Sequence, residues 1–170
     1  MPKFDICVID FAMQAEKDGV SFYTKAADTF KEKDLRALFL KLAKDEARHL
    51  EEFISLKEKA LKKGVEECFL SVEVGDYLNA VAREGVFPKG EDIARKLEAV
   101  RTVEDACKIA LQAERNAILL YTELVKLSKD KDQKKILEKL LEEEKSHLVR
   151  ITSLRADYDL MYMFSKFGRD

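Results

Sequence analysis

Residues 44–53 read KDEARHLEEF and residues 141–150 read LEEEKSHLVR. They hold the two histidines of the chain, His49 and His147, and each follows a glutamate (Glu46 or Glu144) by three residues. An isolated E-x-x-H is ordinarily a surface pair on a charged helix. Chance would place a Glu at that distance from both histidines only about once in a hundred. The two stretches also align at one offset of 98 residues, and that offset superimposes Glu16 on Glu114 and Tyr23 on Tyr121. The flanks follow: AEKDGVSFY (15–23) is matched by AERNAILLY (113–121). A duplicated unit accounts for all of this.

Each unit reads as a helical hairpin. Apolar or small residues at Ile6, Ile9, Met13, Val20, Ala27 and Phe30 keep a helical period over about 5–30, with Asp5 as a candidate N-cap. Leu35, Leu38, Phe39, Leu42, Leu50, Phe53 and Ile54 continue it over 33–63, up to Gly64 as a C′ residue. The charged turn KEKD between them is too short for anything but antiparallel neighbours. In the second unit Thr102 and Asp105 form the sequence of a capping box opening a helix over 102–127. Ile136, Leu137, Leu140, Leu141, Leu148, Ile151 and Leu154 mark the last long helix, 132–155. Residues 65–101 must cross between hairpins and carry two short helical patterns, about 72–83 and 91–99. The tail 156–170, rich in Tyr, Met and Phe, is expected to form a short C-terminal helix that caps the bundle or meets a second subunit. The expected fold is all-α: one domain over 1–170, a four-helix bundle of two duplicated hairpins with a long, partly helical crossover.

Composition agrees and narrows the function. Hydrophobic residues make up 46% and charged residues 38%, with six Gly and two Pro, which suits helices with apolar stripes and charged outer faces. A net charge of −2 argues against nucleic acid as partner. No apolar run reaches the roughly 18–20 residues of a membrane span, and the N-terminus lacks a secretory pattern. Cys7, Cys68 and Cys107 are odd in number and widely spaced, with no C-x-x-C, so neither a disulfide framework nor a zinc knuckle is expected and a reducing cytoplasm fits.

The polar residues that repeat lie in the apolar stripes. Glu16 falls with Met13, Val20, Tyr23 and Ala27; Glu114 with Ala110 and Tyr121; Glu46 and His49 with Leu42 and Phe53; Glu144 and His147 with Leu140 and Ile151. Four carboxylates would then point into one core, where each bare anion costs several kcal/mol. Two divalent cations neutralise them. One Glu from each of two helices plus Glu-x-x-His from each of two others is a di-iron or di-manganese carboxylate pattern, and its mixed oxygen and imidazole donors suit iron or manganese.

On AEKDGVSFY, DEARH, AERNAILLY and EEKSH the sequence resembles the rubrerythrin-like branch of the ferritin-like superfamily, over essentially all four long helices. The resemblance implies that Glu46 and Glu144 bridge two metals, that Glu16 and His49 complete one, and that Glu114 and His147 complete the other. DEARH also resembles a D-E-x-R-H signature of bacterial di-iron oxygenases, where the acid before the ligand Glu holds the histidine of the opposite helix. By that analogy Asp45 orients His147, Glu143 orients His49, and Arg48 neutralises Asp45. Tyr23 and Tyr121 are expected as hydrogen-bond partners of a site carboxylate, whereas Glu52 and Glu142 are expected in solvent.

The chain departs from the family pattern at Ala117, where rubrerythrins carry an extra carboxylate, and these 170 residues hold no rubredoxin module. Ala47 replaces the haem-binding methionine of bacterioferritins, so no haem is expected. The expectation is a di-iron redox protein, with manganese as the alternative metal. It would act on peroxide or dioxygen with electrons from a separate donor protein, as a homodimer, without nucleic acid or membrane. An iron-binding ferroxidase without reductase turnover is the alternative, and a helical interaction module without metal comes third.

Overall fold

Thr102 shows how locally the helices are specified. Its backbone is extended (φ −134°, ψ 159°), and its Oγ1 accepts from the Asp105 backbone N–H at 3.1 Å. The Asp105 carboxylate accepts in return from the Thr102 N–H at 3.1 Å, closing the capping box. In the computed structural model the described residues are 8–62, 86–88, 91–100, 102–128 and 131–167. They form five helices: α1 (Val8–Thr29), α2 (Lys33–Lys62), α3 (Glu91–Ala99), α4 (Val103–Leu127) and α5 (Lys131–Phe167). Asp5, Gly64, Cys7, Cys68 and the expected helix over 72–83 lie outside the described residues.

Helices α1 and α2 pack as one hairpin and α4 and α5 as the other, while α2 meets α5 and α1 meets α4 across the bundle. The short α3 lies on α1, burying Ile93 and Leu97. Phe22, Phe39, Phe53, Leu42, Leu120 and Leu140 fill the core. The inner faces of α1 and α4 are built largely from small residues, among them Ala12, Ala15, Ala110, Ala113 and Ala117. Small side chains there leave volume for the long glutamates beside them.

Two expectations need correction. The buried stripe of α1 is rotated from the expected one: Gly19 and Phe22 sit at its centre, and Met13 and Val20 are only partly buried. The tail is no separate helix, because α5 runs unbroken for 37 residues to Phe167. Between 131 and 167 there is neither Gly nor Pro to end it.

Candidate metal centre

The four central helices each turn one or two acidic or imidazole groups into the middle of the bundle. Glu16 from α1, Glu46 and His49 from α2, Glu114 from α4, and Glu144 and His147 from α5 are all buried, none more than 1% exposed. Spacing explains the α2 and α5 pairs: three residues along a helix bring both side chains to one face.

Both histidines aim Nδ1 inward. His49 Nδ1 lies 3.6 Å from Glu16 Oε2, 3.2 Å from Glu46 Oε2 and 2.9 Å from Glu144 Oε1. His147 Nδ1 lies 3.5 Å from Glu46 Oε1, 3.4 Å from Glu114 Oε2 and 3.4 Å from Glu144 Oε2. Two donor groups result, Glu16–Glu46–His49–Glu144 and Glu46–Glu114–Glu144–His147, each with donor atoms within 4.8 Å of one another. Glu46 and Glu144 belong to both. The two imidazole rings stack at 5.7 Å between centroids.

Protein groups alone do not satisfy this cluster. Glu16 Oε2, Glu46 Oε1, Glu114 Oε2, both Glu144 oxygens and His147 Nδ1 are buried without a hydrogen-bond partner. Each such atom costs about 1–3 kcal/mol, and these all face the same small volume. Hard carboxylate oxygens with two imidazole nitrogens are the donor set of a pair of first-row divalent cations. The residues therefore fit a di-metal site.

The electrostatics of the protein groups carry the same strain. Burial, reinforced by the neighbouring carboxylates, holds Glu16 and Glu114 well above the usual carboxylate range. Burial acts in the same sense on Glu46, but hydrogen bonding from His147 and His49 outweighs it and keeps Glu46 low. Burial opposes charge on both imidazoles, yet the surrounding glutamates raise His49 strongly and push His147 up to about 12.

Each outward ring nitrogen meets a carboxylate from the opposite hairpin. His49 Nε2 is 2.9 Å from Glu143 Oε2, and His147 Nε2 is 3.3 Å from Asp45 Oδ2. These are the contacts expected of Glu143 and Asp45. Arg48 pairs with Asp45 as expected, but only at the outer limit of an ion pair, 4.0 Å. It donates more closely to Glu143 and, at 2.9 Å, to Glu52. Asp45 is served by Arg150, at 3.3 Å, which the sequence reading did not single out. Burial alone would raise Glu143, but the bonds from Arg48 and His49 bring it down to about 2. Glu52, expected in solvent, is part-buried and also accepts from Lys139 at 2.8 Å; Glu142 is exposed.

The tyrosines divide. Tyr23 donates a short hydrogen bond to Glu114 Oε1, reaching from α1 across to the other hairpin's terminal carboxylate. Tyr121 is buried with its ring 5.7 Å from Phe53. Phe87, from the crossover, sits edge-on to Tyr23 at 5.5 Å and against Gly19. A Cβ on Gly19 would come 2.9 Å from the Phe87 ring and 3.2 Å from Glu46 Cγ, so the glycine is what lets both approach α1. Phe87 and Gly19 were not foreseen; Gly19 facing Ala117 in the repeat was the available signal.

An antiparallel helical bundle joined by a long crossover, with paired E-x-x-H helices around a carboxylate core, defines the ferritin-like class of di-metal proteins. The model of the rubrerythrin family matches residues 8–154, and the chain belongs to that family. The fold is similar to the crystal structure of a ferritin-like diiron-carboxylate protein from Thermotoga maritima. The two share 22% identity over 89% of this chain and 93% of that one, with a TM-score of 0.63. Among curated proteins the sequence finds no match. No helix among the described residues is long and apolar enough to cross a membrane.

Proposed function

We propose that this chain is a di-iron redox protein that reduces peroxide or dioxygen using electrons from a separate donor protein in a reducing cytoplasm. The observation that carries the reading is the convergence of two histidine Nδ1 atoms on four buried carboxylates, two of which belong to both donor groups. Two ferrous ions held there would together supply the two electrons that peroxide reduction requires. Manganese is the alternative occupant, because the donor set accommodates either.

The chain's own residues have separate tasks. Glu46 and Glu144 belong to both donor groups, which supports the reading that they would be shared between two metal ions. Glu16 with His49, and Glu114 with His147, complete the two ends. Glu143 and Asp45 accept from Nε2–H, which fixes the tautomer that leaves Nδ1 as the inward donor atom. The Tyr23 hydroxyl neutralises part of the charge on Glu114 and holds a proton at the edge of the centre. Burial of every ligand keeps bulk water out, so the oxidant must be small.

The test is metal content followed by single-turnover oxidation. Purified protein reconstituted anaerobically should hold about two iron ions per chain and oxidise faster with hydrogen peroxide than with dioxygen. It should then cycle when a reductant is supplied. Glu46→Ala and His147→Ala should each lose most of the bound metal while remaining helical, and unchanged metal content in both would refute the site. Uptake of many irons per chain, without turnover by added reductant, would instead establish the ferroxidase alternative.

A further inference from the structure

The ligand face of each long helix continues past its ligands with a residue that fills space, except in α1. One turn to either side of Glu46 and His49 stand Leu42 and Phe53, and around Glu144 and His147 stand Leu140 and Ile151, all fully buried. On α4 the position between Glu114 and Tyr121 is Ala117, and on α1 the position between Glu16 and Tyr23 is Gly19, which has no side chain at all. The missing bulk comes from outside the helix. The three heavy atoms nearest to a Cβ built on Gly19 are two of the Phe87 ring, at 2.9 and 3.0 Å, and Cγ of Glu46, at 3.2 Å.

The Phe87 ring and the Glu46 side chain thus lie within two contact distances of each other. The same ring meets Tyr23 edge-on at 5.5 Å, and Tyr23 holds Glu114. Phe22 lies 6.1 Å from it, and Phe87 itself is buried. One side chain from the crossover therefore flanks a carboxylate of both donor groups and the hydrogen bond that fixes a second. The opposite approach is closed by the histidines, with Glu143, Asp45, Arg48 and Arg150 outside them.

We propose that Phe87 sets the size limit of the oxidant: its ring fills the space beside Glu46 that the substituent of an organic hydroperoxide would need. The centre would then take hydrogen peroxide or dioxygen and reject alkyl hydroperoxides, an inference that rests on the redox reading. Both kinds of peroxide pose the same chemical demand. The O–O bond breaks as the peroxide takes two electrons, one from each ferrous ion, which ends ferric, and two protons from water. Hydrogen peroxide gives two waters, and an alkyl hydroperoxide gives an alcohol and one water. Selection between them is therefore a matter of space. With the ring removed, a hole remains against the Gly19 backbone, Phe22 and Tyr23, and apolar holes of ring size stay dry and admit benzene.

Single-turnover oxidation of the anaerobic ferrous protein, with hydrogen peroxide or cumene hydroperoxide, reads the selectivity. Wild type should strongly prefer hydrogen peroxide. Phe87→Ala should keep that rate and gain about tenfold or more with cumene hydroperoxide, and Phe87→Leu, which retains more bulk, should gain less. Leu97→Ala empties space beside Lys25 and Thr29, near the far end of α1, and should select like wild type. The zinc-loaded protein gives a readout without turnover: benzene should raise the melting temperature of Phe87→Ala and leave wild type unchanged. Equal rates of wild type with both peroxides would overturn the proposal, as would Phe87 variants that gain nothing with cumene hydroperoxide, or an equal gain in Leu97→Ala. Wild-type ferrous protein inert to hydrogen peroxide would refute the redox reading and this inference with it.

Discussion

Two carboxylates outside the ligand set, Glu143 and Asp45, decide how well His49 and His147 present Nδ1. Each fixes its histidine from the opposite hairpin, so the centre is cross-braced as well as lined. Removing such a partner ordinarily costs about 10–100-fold in metal affinity. Glu143→Ala and Asp45→Ala are expected to fall in that range in a chelator-competition titration. Glu143→Gln should lose less, because the amide oxygen still accepts from Nε2–H. At this scale the sequence was highly legible. A ligand must be a particular residue type at a particular spacing, so Glu16, Glu46, His49, Glu114, Glu144 and His147 stood out twice over. Arg150 did not, because a guanidinium that reaches Asp45 from another helix leaves no spacing signal in its own.

At the scale of elements, boundaries were written wherever local chemistry sets them. The Thr102–Asp105 box is visible in four letters and forms as expected. Thr102→Ala should destabilise the bundle by about 1 kcal/mol, read as a lower urea midpoint with an unchanged slope. The helix pattern of 91–99 was legible for the same local reason. The far end of α5 was not: loss of the apolar period after Leu154 looked like a boundary, but nothing in the backbone chemistry there requires one. Periodicity reports burial, and a helix that leaves its bundle loses the period before it loses the helix. The place of Phe87 was hidden for the opposite reason, since its partners Gly19, Phe22 and Tyr23 are more than sixty residues away.

For the whole molecule, metal loading and protonation compete for one set of atoms. With protein groups alone around them, Glu16 and Glu114 sit well above the carboxylate range, His49 is strongly raised and His147 reaches about 12. Burial favours the protonated form of Glu16 and Glu114, and the surrounding glutamates favour protonated imidazoles, so divalent cations compete with protons for these atoms. Loading should therefore release protons, measurable with an indicator in weak buffer, and affinity should rise with pH. The sign for folding is the reverse. Unfolded Glu releases its proton above about 4.3 and unfolded His above about 6.5, while the folded chain keeps both, so stability of the chelated protein falls as pH rises through that range. The gap in melting temperature between loaded and chelated protein should widen from about pH 5 to 8.

The duplicated halves were not kept identical, and Gly19 is where they part. A methyl fits at Ala117 but not at Gly19, where the Phe87 ring and the Glu46 side chain already occupy its space. Tyr23 leans on Glu114, while its counterpart Tyr121 packs against Phe53. His49 is braced at 2.9 Å by a glutamate and His147 at 3.3 Å by an aspartate. Two iron ions in these surroundings would not share one electric-field gradient. If iron is the occupant, the frozen ferrous protein, enriched in the Mössbauer isotope, should show two quadrupole doublets of equal area, the spectroscopic signature of two repeat-related but unlike positions.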